Sequence, residues 1–133
     1  LRSRRMLLDD CYNANPQSVA AALEILARTE CDKRVAVLGD MGELGELKNR
    51  AHYNMGALAS MLGIDLVFAI GSGELAGKTA DGVALSGGSV LYFPTKEEAL
   101  PELRRQLEPG TAMLVKASHA MKFGWLVERL QEQ

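Results

Sequence analysis

Three short stretches hold the side chains that can do chemistry. Asp9-Asp10-Cys11-Tyr12-Asn13-Ala14-Asn15-Pro16 crowds carboxyls, a phenol and amides together; Gly39 to Glu46 mixes acids with glycines; Lys116-Ala117-Ser118-His119 offers a cation, a hydroxyl and an imidazole. A carboxylate such as Asp10 can accept two hydrogen bonds from a vicinal diol, as acids do when they hold a ribose in nucleotide-binding sheets. Asn13 and Asn15 each carry a donor and an acceptor suited to a peptide or carboxylate, and Lys116 with Ser118 suits an anion. Each also has a plainer duty open to it. Asp10 and Asn15 can cap a helix, Asn13 can shape a turn, and Lys116 can lie along apolar surface at a strand end.

Other chemistries lack their residues. No Gly-x-x-x-x-Gly-Lys-Ser/Thr phosphate loop occurs, and Gly71-Ser72-Gly73 is followed by Ala76 where a dinucleotide fingerprint places its third glycine. Cys11 and Cys31 show no metal-ligand spacing, so neither a metal site nor a catalytic thiol is expected. His52 falls early in a helical stretch, where packing or solvent contact is its expected task. Glu43 and Glu46 read as a solvated loop whose charge favours the helix that follows.

Positioning these stretches falls to an alternation of strands and helices. The apolar run Met6 to Leu8 leads into Asp9 as a first strand. Pro16 suits a first helical turn, and Val19, Ala22, Leu23 and Leu26 then make one apolar face, so residues 17–28 are helical with Asn15 as N-cap. The β-branched run 34–40 is the clearest strand, and a helix over 48–62 follows with Ala51, Met55, Leu58, Ala59 and Leu62 inward and Gly63 as C-cap. Residues 65–71 form a third strand, leading to a weak helix that fades near Gly82. Strand 89–93 ends at Pro94. Thr95 with Glu98 makes a capping box for a helix burying Ala99, Leu100, Leu103 and Leu107. Strand 111–116 and a helix over 120–131, with Met121, Trp125, Leu126 and Leu130 inward, complete the chain. Five strands alternating with five helices predict an α/β fold: a three-layer αβα, Rossmann-like, mostly parallel sheet of five to six strands. All strand C-termini of a parallel sheet lie along one edge, so the three polar stretches should share a rim.

The 133 residues fit a single domain, 1–133. A formal charge of −2, with 47% hydrophobic residues, argues against broad binding to nucleic acid or to an anionic membrane. No apolar run reaches the roughly 20 residues needed to span a bilayer. Sparse cysteine makes a reduced, cytoplasmic setting the expectation. The chain opens on Leu1 rather than Met and reads as part of something longer.

Asp9 to Pro16 with Ser18, then Val37-Leu38-Gly39-Asp40-Met41 with Glu43-Leu44-Gly45 and His52, then Leu114-Val115-Lys116-Ala117-Ser118, resemble in this order the C-terminal domain of the Mur ligases. The family usually reads Lys-Gly-Ser-Arg where this chain has Lys116-Ala117-Ser118-His119. The resemblance implies a fragment of a three-domain, ATP-dependent carbon–nitrogen ligase of peptidoglycan synthesis, inactive without its N-terminal and central domains. Its implied substrates are UDP-N-acetylmuramoyl-tripeptide and D-alanyl-D-alanine, joined through an acyl phosphate. It also implies ATP and Mg in the full enzyme, with the phosphate loop and metal ligands outside this chain. Asp10 and Tyr12 match the ATP side, Asp10 at the ribose; Asn13, Asn15, Lys116 and Ser118 match the side facing the dipeptide. The alternatives are a domain of another Mur or folylpolyglutamate-type ligase, or a non-catalytic Rossmann-like binding module.

Overall fold

In the computed structural model, which describes residues 4–10 and 13–132, five parallel strands lie in the order β1-β5-β2-β3-β4. They are β1 (Met6–Asp9), β2 (Lys33–Leu38), β3 (Leu66–Ile70), β4 (Val90–Phe93) and β5 (Thr111–Lys116). Five α-helices alternate with them: α1 (Pro16–Arg28), α2 (Lys48–Met61), α3 (Glu74–Leu85), α4 (Lys96–Gln106) and α5 (Gly124–Gln131). Every residue of β5 is buried, which explains its unbroken apolar run: an interior parallel strand is covered on both faces. The two edge strands, β1 and β4, have four residues each and stay partly exposed.

Strand alternation divides the core in two. Ala36, Leu38, Val67, Ala112 and Leu114 face one way and pack with Val19, Leu23 and Leu26 of α1, Ala59 of α2 and Val83 of α3. Val35, Val37, Phe68, Ile70, Met113 and Val115 face the other way, against Leu103 of α4 and Phe123, Leu126 and Leu130 around α5. Helices α1 to α3 therefore cover one face and α4 and α5 the other, giving the expected three layers.

The strand order departs from the 3-2-1-4-5-6 arrangement of a dinucleotide-binding sheet. The chain enters at an edge, α1 carries it past one strand position to β2, and β5 later fills the slot between β1 and β2. Nothing local in β1 records that gap.

Local signals hold at the caps. Asn15 accepts from Ser18 N–H at 2.9 Å while the Ser18 hydroxyl accepts from Asn15 N–H, a complete capping box, and Pro16 opens the helix. Thr95 Oγ1 accepts from Glu98 N–H at 3.1 Å, so Thr95 caps α4 through this one half of the expected box, and Gly63 takes the left-handed turn after α2 with φ +80°. Three expectations need correction. Helix α3 does not fade at Gly82 but runs to Leu85. The last helix starts at Gly124 rather than 120, because Lys122 sits at φ 55° and interrupts it after the short 3-10 turn His119–Met121. The fully buried line of α2 is His52, Gly56 and Ala59, with Ala51, Met55, Leu58 and Leu62 only partly covered.

Candidate functional site

Helix α1 leaves β1 on one face of the sheet and α5 leaves β5 on the other. Their divergence opens a crevice at the carboxyl ends of adjacent strands, the place where α/β sheets bind ligands. The exit loops of β1, β5 and β2 are stitched together there. Asp10 N–H donates to the Val115 carbonyl (3.1 Å), Gly39 N–H to Lys116 (3.0 Å) and Ser118 N–H to Asp40 (2.9 Å). The three polar stretches thus share one rim.

Lys116 ends β5 with only 2% of its side chain exposed, and its Nζ lies 2.9 Å from Asp10 Oδ2. The same ammonium donates to the Asn13 carbonyl at 2.9 Å. Asp10 keeps 52% exposure and, with Asp9, His119, Lys122, Trp125 and Glu128, lines an open cleft of about 630 Å³. Trp125 forms a wall of that cleft, with Arg129 4.6 Å and Lys96 5.7 Å from its ring centre.

The amides expected to meet a ligand have work within the chain. Asn13 Oδ1 accepts from Ala14 N–H at 2.9 Å, and Asn15 Oδ1 is the α1 cap, although both residues remain exposed on the rim. Ser118 is half-buried beside Asp40. Tyr12, with Cys11, lies outside the described residues. Asp10 and Lys116 are brought into contact, Asn13 joins them through its carbonyl, and Asn15 and Ser118 flank the group.

The β2 exit loop is built on two groups that the sequence did not single out as part of a site. His52 is 1% exposed. Its Nε2 accepts from Met41 N–H at 2.9 Å and its Nδ1–H donates to the Lys48 carbonyl at 2.7 Å, tying the loop to α2. Asp40 Oδ1 is buried with no hydrogen-bond partner among the described residues, and a Cβ on Gly71 would come within 2.8 Å of it. Burial pushes the Asp40 carboxyl above its ordinary range, and the nearby His52 ring acts in the opposite sense. Glu43 at φ 59° and Gly45 at φ 58° turn the loop out to solvent. Asp40 had a sequence signal, a Gly-Asp at a strand end; Trp125 read as an ordinary inward helix position.

Ala117 stands where the resembled family usually has glycine, and it is fully buried among the α5-side core residues. A Cβ on Gly39 would come within 2.7 Å of the Ala117 methyl and 2.8 Å of the Phe123 ring. The methyl occupies space that Gly39 leaves free.

Comparison with known proteins agrees with this fold. Residues 2–119 match the family described as Mur ligase, glutamate ligase domain. The UDP-N-acetylmuramoyl-tripeptide–D-alanyl-D-alanine ligase of Escherichia coli is 35% identical over 99% of this chain and 28% of its own length. Among solved structures, MurF from Acinetobacter baumannii superposes with a TM-score of 0.83 at 31% identity, covering 96% of this chain and 28% of that one. The MurF ligase of Thermotoga maritima, solved in complex with ADP, gives 0.78 at 26% identity, covering 98% of this chain and 29% of that one. The chain thus spans little more than a quarter of the length of the relatives it matches. On its motifs, its fold and its matched length, the chain belongs to the Mur ligase family, in the part described as the glutamate ligase domain.

Proposed function

We propose that this chain is the C-terminal domain of a cytoplasmic ATP-dependent ligase that joins D-alanyl-D-alanine to UDP-N-acetylmuramoyl-tripeptide, working with N-terminal and central domains of the same polypeptide. The observation that carries this reading is the shared rim: the Asp10, Asp40 and Lys116 loops meet at the crevice of the sheet. The names of the matched relatives support the substrates. ATP supplies phosphorylation of the tripeptide's terminal carboxylate. The dipeptide amine then attacks the acyl carbon, the carbon–nitrogen bond forms, phosphate departs and the amine gives up a proton.

Asp10 is the residue we assign to the ribose, since a half-exposed carboxylate on a cleft can accept from both hydroxyls of a diol. Tyr12 belongs with it on the ATP side. Asn13, Asn15 and Ser118 are assigned to the dipeptide. The described residues include no group of three His, Cys, Asp or Glu that could hold a metal ion, and we assign the magnesium ligands to the central domain. This domain's contribution is orientation and exclusion of water, and holding reactants in attack geometry can supply about 7–11 kcal/mol. In the complete enzyme, Asp10→Ala should raise the KM for ATP about tenfold or more with little change in the KM for D-alanyl-D-alanine. Unchanged ATP kinetics would remove Asp10 from the site. Assaying free amino acids against D-alanyl-D-alanine as acceptors tests the substrate assignment, and preference for a single amino acid would overturn it.

A further inference from the structure

Lys116 is oddly placed for a residue that greets a substrate. It closes a strand whose residues are all buried, and its side chain is 2% exposed. A desolvated ammonium persists only where partners replace its water. Here those partners are the Asp10 carboxylate and the Asn13 carbonyl, each at 2.9 Å and both on the exit loop of β1. β1 is an edge strand of four residues with a single strand neighbour, β5, so little else in the sheet holds its carboxyl end. The lysine reaches out from β5 and grips that loop on both sides of residues 11 and 12.

We propose that Lys116 is a positioning residue for the nucleotide, acting through Asp10 rather than by touching the dipeptide. The assignment rests on the reading of Asp10 as the ribose ligand. Gripped at Oδ2, the Asp10 carboxylate is held in one rotamer at the cleft. A diol then meets an acceptor already in place, instead of ordering a surface side chain as it binds.

The test uses the complete enzyme with Lys116→Met, Asp10→Asn and the double substitution, measuring KM for ATP and for D-alanyl-D-alanine separately from kcat. Lys116→Met should raise the KM for ATP about tenfold and that for the dipeptide less than about twofold, the loss expected when a supporting group leaves a binding group loose. In the Asp10→Asn background the same substitution should add nothing further, because its effect passes through the carboxylate. If Lys116→Met does not fold, Lys116→Gln, whose shorter and neutral amide loses the ion pair with Asp10 but keeps a polar group in the buried site, carries the same comparison. A purely structural lysine would lower Tm without a selective rise in the KM for ATP, and that result overturns the proposal. A rise confined to the dipeptide KM overturns it too, returning Lys116 to direct contact with the acceptor. Full additivity in the double variant does the same. Should Asp10→Asn itself leave ATP kinetics untouched, the ribose reading fails and this proposal falls with it; an effective Asp10→Asn beside an inert Lys116→Met fails the positioning role alone.

Discussion

Asp40 works against the fold at neutral pH. Its Oδ1 is buried without a partner among the described residues, and burial holds its carboxyl above the ordinary 3.8. An acid whose folded pKa is raised binds its proton more tightly in the native state. Stability is therefore lost as pH climbs from 3.8 through the raised value and stays low above it. Asp40→Asn should raise the melting temperature at pH 7, with the gain disappearing below about pH 3.8. A thermal-melt series across pH checks this, and an equal gain at every pH would show that the carboxyl's charge is not the cause. A carboxyl whose burial disfavours its charge is common where function and stability compete. His52 shows the opposite case: the sequence left packing and solvent contact both open to it, and both of its ring nitrogens are satisfied inside the molecule.

At the scale of elements, α2 and α3 approach through a pair of glycines. A Cβ at Gly56 would lie 2.1 Å from the Thr79 carbonyl oxygen, and one at Gly82 would lie 2.0 Å from that of Tyr53. Helix propensity alone favours alanine over glycine by about 1 kcal/mol. Overpacking against a backbone that cannot yield costs about 1–3 kcal/mol and occasionally more. The steric term wins, so Gly56→Ala should destabilise the fold by about 1–2 kcal/mol, read as a fall in the denaturant midpoint with the slope unchanged. A neutral or stabilising result would mean that the helices can part at no cost. The same contact explains why reading α3 as fading at Gly82 failed: glycine weakens a lone helix, but here it is what lets the helix dock. Likewise the start of α5 was missed because the apolar spacing runs on through Met121, while the left-handed Lys122 is a tertiary choice.

Across the whole molecule, protection should follow the strand order rather than the chain order. Native-state hydrogen exchange is expected to be slowest in β5, β2 and β3, which are paired on both sides, and faster in the four-residue edges β1 and β4. Amides of β1 exchanging as slowly as those of β5 would contradict the sheet described. Read alone, the sequence determined the class of the fold, because apolar runs of strand length alternate with periods of helix length, and both patterns are local. It determined the caps at Asn15 and Thr95 for the same reason, and it marked the rim, since strand ends in a parallel sheet share an edge whatever their order. The order itself came only from the tertiary structure: the slot between β1 and β2 is filled by a strand about 75 residues further along, and no local pattern carries that information. The duty of Lys116 was likewise decided by the folded state. Its sequence neighbours show a cation at a strand end, but whether that cation meets solvent, a ligand or Asp10 depends on which strand lies alongside, and β1 lies there.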